Sequence, residues 1–140
     1  MQVKFIRLDP NLPTPHYSHF DDAGFDLYTR EEVTLAPGAR AMVPTGLKME
    51  IPEGYVGLIW DKSGLAMKHG LKMLGGVDDA NYRGEVHVGV INLGQEPYTF
   101  LKYHKVAQML IQKKETAEFV EVTDLNDSER GEKAFGSSGK

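Results

Sequence analysis

Asp79 stands near the middle of Gly75-Gly76-Val77-Asp78-Asp79-Ala80-Asn81-Tyr82-Arg83-Gly84-Glu85, where a carboxylate could take a proton from water. The glycines ahead of it let backbone approach a flat ligand and leave N–H and C=O groups open, and Tyr82 could press against a sugar. Read alone, an Asp-rich turn is more simply a turn. Upstream, Asp61-Lys62-Ser63-Gly64-Leu65 could present a lysine, a hydroxyl and free amides to an anion, or could be no more than a serine-capped helix start. At the far end, Phe135-Gly136-Ser137-Ser138-Gly139 combines a ring able to stack on a base with hydroxyls and amides suited to phosphate, and Arg130 precedes it. A Gly/Ser tail is as readily a linker.

Two other constellations do not support a site. Gly131 and Gly136 have the glycine spacing of a Walker loop, but Ser137-Ser138 stands where Lys-Ser/Thr is needed and no helix follows. His16 and His19 lie near Asp21 and Asp22 in a Pro-rich loop rather than on a helix that would align them as metal ligands, and His69, His87 and His104 are scattered. A net charge of -4 and a pI near 5.7 leave no basic stripe for a polynucleotide. No apolar run nears the roughly 18 residues of a membrane span. The N-terminus lacks a secretory pattern and there is no cysteine, so a cytoplasmic address is expected.

The elements that must hold these groups are short. Fifteen glycines and seven prolines punctuate brief apolar stretches across 140 residues, the texture of an all-β chain of one domain. The clearest is Glu85 to Val90, whose valines recur at period two and place one face on a core. Strands are also expected over 3–8, 25–28, 41–43, 48–51, 55–60, 100–102, 106–111 and 119–122, spaced as in a barrel or jelly roll. The stretch 75–85 reads as a hairpin feeding the valine strand. A single short helix is expected over Ser63 to His69, stopped by Gly70. A domain over 1–123 then gives way to a polar, flexible arm over 124–140.

These separate features line up in a resemblance to the trimeric dUTPase family, carried by five motifs in that family's order. They are Ala23-Gly24-Phe25-Asp26-Leu27, Lys62-Ser63-Gly64-Leu65-Ala66, the Gly76 to Glu85 stretch, Lys105-Val106-Ala107-Gln108-Met109-Leu110-Ile111, and Arg130 to Gly139. The resemblance implies a jelly-roll homotrimer with active sites shared between chains. It implies magnesium-dependent hydrolysis of dUTP to dUMP and pyrophosphate, which limits uracil in DNA and supplies dUMP for dTMP synthesis. It also implies that Asp79 activates the water that attacks the α-phosphorus, that Tyr82 lies under the deoxyribose, and that backbone of Gly76 and Val77 reads uracil. Lys62, Ser63, Gly64 and Gln108 would hold phosphates, and Asp26 would touch the magnesium ion through water. Arg130, Phe135, Gly136, Ser137 and Ser138 would come from another chain's arm.

The chain also departs from the pattern. Lys62 replaces an arginine, and an ammonium lacks the planar fork that grips two phosphate oxygens. Asp78 stands where an aliphatic residue is usual, Asn81 where an acid or glycine is common, His104 replaces an aspartate, and Lys133-Ala134 replaces two glycines. The rival readings are a dCTP deaminase-type relative and a nucleotide-gated regulatory trimer with little turnover. The Tyr82 to Glu85 stretch and the Phe135-Gly136-Ser137 tail match the dUTP-cleaving pattern better.

Overall fold

The computed structural model describes residues 1–132. Its strands are β1 (Lys4–Arg7), β2 (Phe25–Tyr28), β3 (Val33–Leu35), β4 (Arg40–Glu50), β5 (Tyr55–Trp60), β6 (Leu71–Leu74), β7 (Val77–Asp79), β8 (Glu85–Asn92), β9 (Tyr98–Phe100) and β10 (Lys105–Lys113). Helix α1 (Ser63–His69) joins β5 to β6. Two four-stranded sheets run β1-β4-β8-β6 and β2-β10-β5-β7, with a ribbon of β3 and β9, and every pairing is antiparallel. This is the expected all-β architecture with one short helix among the described residues.

Period-two alternation builds the core. Val86, Val88 and Val90 of β8 are buried between half-buried neighbours, and they pack with Val43, Leu47 and Met49 of β4 against Phe25, Leu27 and Met109 from the other sheet. Fully burying one such side chain contributes about 1.5–3 kcal/mol, so this layer supplies the main drive for stacking the sheets. Leu35 and Phe100 from the ribbon extend the same core. The buried Asn92 amide donates to the Leu35 and Glu96 carbonyls at 3.0 and 2.8 Å, so its polar atoms are not left unpaired.

Several sequence expectations need correction. Residues 41–43 and 48–51 belong largely to one strand, β4, whose register with β8 shifts between Pro44 and Lys48. The strand expected at 100–102 lies at Tyr98–Phe100 instead, and Tyr103 turns the chain with φ of 66°. Residues 119–122 form no strand: they run exposed and pair with no strand among the described residues, with Phe119 at 95% exposure. Helix α1 begins at an extended Lys62 with no side-chain cap, so Ser63 is its first residue rather than its cap, while Gly70 closes it in the left-handed conformation as expected. The Gly75 to Glu85 stretch is a turn but not a paired hairpin. Its first arm, β7, pairs with β5, and its second, β8, pairs with β4 and β6 in the other sheet.

Candidate active site

Sheet register assembles the first group of residues. Strand β10 lies between β2 and β5, so Gln108 sits beside Asp26 on one side and Trp60 on the other. Lys62 follows β5 at the head of the helix, which brings Asp26, Lys62 and Gln108 into one cluster although up to 82 positions of sequence separate them. One oxygen of the Asp26 carboxylate accepts from the Lys62 ammonium, and the other accepts from Lys105 at 2.7 Å. The Gln108 amide donates to the Asp61 carbonyl at 2.8 Å. The Asp61 carboxylate in turn accepts from the Met73 N–H and the Lys72 ammonium, both at 2.7 Å, which pins the loop that carries Lys62. Ser63 and Gly64 lie exposed beside that lysine.

Charge decides the state of this cluster. Burial pushes the Asp26 carboxyl up, but the hydrogen bonds and charges of Lys105 and Lys62 outweigh it and hold the group below the usual carboxylate value. The same hydrogen bond raises the Lys105 ammonium above its ordinary value. Asp26 is therefore an anion at neutral pH, and two cations share it. The surplus positive charge suits a polyphosphate.

The second group lies around the turn after β7. Gly76, Val77, Asp78, Asp79, Asn81, Tyr82 and Glu85 line an open cavity of about 420 Å³ together with Met42, Ile59 and His87. Gly76 has φ of 97°, and its carbonyl accepts from the Ile59 N–H at 2.7 Å, so the chain enters β7 through a conformation that side chains resist. The turn is closed by the Tyr82 N–H donating to the Asp79 carbonyl at 3.0 Å. Arg83 staples it by donating to the carbonyls of Ala80 and Tyr82 at 2.6 and 2.8 Å. The Tyr82 hydroxyl donates to the Glu85 carbonyl at 3.0 Å, which fixes its ring at the cavity edge. Alternation along β7 leaves Val77 and Asp79 exposed and turns Asp78 inward, opposite Gly57. Burial, then the neighbouring Asp79 charge, pushes the Asp78 carboxyl above its ordinary value.

The chain thus brings Asp26, Lys62 and Gln108 together, and separately Gly76, Val77, Asp79 and Tyr82. Neither of the cavities that Asp79 lines includes Lys62 or Gln108. Arg130 lies in the exposed segment that follows β10, while Phe135, Gly136, Ser137 and Ser138 fall outside the described residues. Sequence reading missed Lys105 as the second partner of Asp26 and Asp61 as the anchor of the Lys62 loop. Lys105 opens the fourth motif, but its aim depends on strand pairing that local pattern does not report. Among the described residues no group of three or more His, Cys, Asp or Glu side chains is arranged to hold a metal ion.

A family model described as dUTPase matches residues 10–139. The deoxyuridine 5'-triphosphate nucleotidohydrolase of Thermobifida fusca (strain YX) is 47% identical, over 99% of this chain and 79% of its own length. That of Mycolicibacterium gilvum (strain PYR-GCK) is 48% identical, over 96% of this chain and 92% of its own. In three dimensions the chain is similar to a mutant dUTPase of Staphylococcus bacteriophage 80alpha solved with dUpNHpp, at a TM-score of 0.92, 30% identity and 99% coverage of both chains. It is also similar to a mutant dUTPase from phage phi11 of S. aureus described with a structural Mg(II) ion, at a TM-score of 0.82 and 27% identity, over 89% of this chain and 98% of that one. The chain belongs to the dUTPase family.

Proposed function

We propose that the protein is a dUTP diphosphatase, cutting dUTP between its α and β phosphates to give dUMP and pyrophosphate. The observation that carries this reading is the cavity in which an exposed carboxylate, Asp79, stands beside Tyr82, Gly76 and Val77. Asp79 takes a proton from water, the water oxygen bonds to the α-phosphorus, and the bond to the bridging oxygen breaks so that pyrophosphate leaves. Gly76 and Val77 offer backbone donors and acceptors to a uracil edge, and a base with the wrong edge would leave them unpaired. Tyr82, held at the rim by Glu85, packs against the sugar and leaves no room for a 2′-hydroxyl.

Lys62, Ser63, Gly64 and Gln108 hold the phosphates in this reading. Asp26 is an anionic oxygen donor within that cluster, which suits contact with magnesium through water, the phosphates supplying most of the ion's ligands. Magnesium, when bound, offsets negative charge on the phosphates. Because the Asp79 cavity and the Lys62 cluster are separate on one chain, a complete site takes one from each of two chains of a homotrimer. The arm over 124–140 of a further chain, with Arg130, Phe135, Gly136, Ser137 and Ser138, closes over the base and phosphates. The compartment suited to this activity is the cytoplasm.

Pyrophosphate release measured with magnesium and dUTP, dCTP, dTTP or UTP tests the reading. Release from dUTP alone is expected. Asp79→Asn should lower kcat by about 10²- to 10⁴-fold, the usual contribution of a general base, while dUpNHpp binding persists. Release from UTP at the dUTP rate, or normal turnover by the variant, would overturn the roles given to Tyr82 or Asp79.

A further inference from the structure

Strand β10 breaks its alternation close to its start. From Ala107 to Leu110 burial alternates, yet Val106 and Ala107 are both buried, because the β10–β2 register shifts between Lys105 and Ala107. A bulge of this kind inserts one residue and re-aims the side chain next to it. In an unbroken strand Lys105, three positions from Gln108, would project from the opposite face. With the bulge its ammonium lies 2.7 Å from Asp26 Oδ2, next to the cluster that Gln108 serves.

Asp26 has one negative charge, two cationic partners, and a side chain that is only 10% exposed. We infer that Lys105 is a positioning residue: by keeping Asp26 paired, it lets Lys62 turn from Asp26 to the incoming phosphates. This inference rests on the reading of Lys62 as a phosphate ligand. A buried carboxylate stripped of its partner is strongly disfavoured, so if Lys62 were the sole partner of Asp26 it would be held back from the nucleotide. Lys105 removes that conflict. It stays on Oδ2 while Lys62 leaves Oδ1, and the carboxylate never loses both hydrogen bonds.

The test is a double-mutant cycle on the full-length protein, read by calorimetric titration with dUpNHpp in EDTA, so that no metal enters the result. Lys105→Met should weaken binding about tenfold, in the range of coupling between groups of one network, and Lys105→Arg should restore most of it. In an Asp26→Asn background Lys62 is already released, and adding Lys105→Met should cost less than about twofold. Parent-like affinity of Lys105→Met overturns the inference. So does a tenfold loss that persists in the Asp26→Asn background, since Lys105 would then touch phosphate itself. Should Asp26→Asn fail to fold, Asp26→Leu provides an apolar background for the same comparison. A folded parent that binds no dUpNHpp overturns the nucleotide reading itself, and the role of Lys105 with it.

Discussion

Two carboxylates one position apart, Asp78 and Asp79, differ because strand alternation sends them to different surroundings. Asp79 is exposed at the cavity, whereas Asp78 faces Gly57 near Ile51 and Met109, where burial and the charge of Asp79 raise it above its ordinary value of 3.8. A carboxyl raised on folding binds its proton more tightly in the folded state. Its stability penalty is therefore absent below the unfolded value, develops as pH rises through the folded value, and is full above it. Asp78→Val should melt at a higher temperature than the parent at pH 7, and the gap should close as pH falls toward 3.8. Melting curves at several pH values check this, and a gap independent of pH would assign the effect to packing instead. The sequence already marked Asp78 as a departure from the family's aliphatic residue. Which way its side chain points became visible only once β7 was paired with β5.

At the scale of elements, what was legible in the sequence is what packs locally. The valines of β8 announce their strand because burial on one face repeats every second residue. Strand β7 is only Val77-Asp78-Asp79, and no apolar alternation marks it; it is a strand because Val56, Gly57 and Leu58 of β5 pair with it. Phe119-Val120-Glu121-Val122 has the composition of a strand, yet it pairs with no strand among the described residues. Local pattern likewise does not show that Asp26, Lys62 and Gln108, named only through the family resemblance, meet one another and Lys105, since β2, β10 and β5 come together through long-range register. Gly76 is the joint on which the β5–β7 pairing turns. A Cβ there would sit 2.7 Å from the Ile59 carbonyl oxygen, on a backbone at φ of 97°. Gly76→Ala should cost about 1–3 kcal/mol from backbone strain, plus the clash with that carbonyl. Urea denaturation measures it, and loss of discrimination between dUTP and dCTP should accompany it; a variant as stable as the parent would show that the turn relaxes freely.

At the scale of the whole molecule, the proposed trimer would join two half-sites into one. On a single chain Asp79 lines two neighbouring cavities, and Lys62 with Gln108 belongs to neither. Apolar surface is also left over: Met42 and Val77 are each 68% exposed, and Trp60 is 53% exposed. Large exposed apolar residues near a functional cavity suit burial against another copy. In solution the protein should sediment at three times its chain mass of 15.6 kDa. Shared sites make a sharper demand than mass alone. In the proposed trimer Asp79→Asn and Lys62→Met should each disable every site of a pure assembly, but in a mixed trimer some sites would take an intact Asp79 from one chain and an intact Lys62 from another. Unfolding the two variants together and refolding them as an equal mixture should restore about one quarter of parental dUTP turnover if chains assort at random and each site draws these residues from two different chains. Sites contained within one chain would restore none, because every chain in the mixture carries a lesion. Recovery near a quarter would therefore establish both the oligomer and the division of the site between its copies.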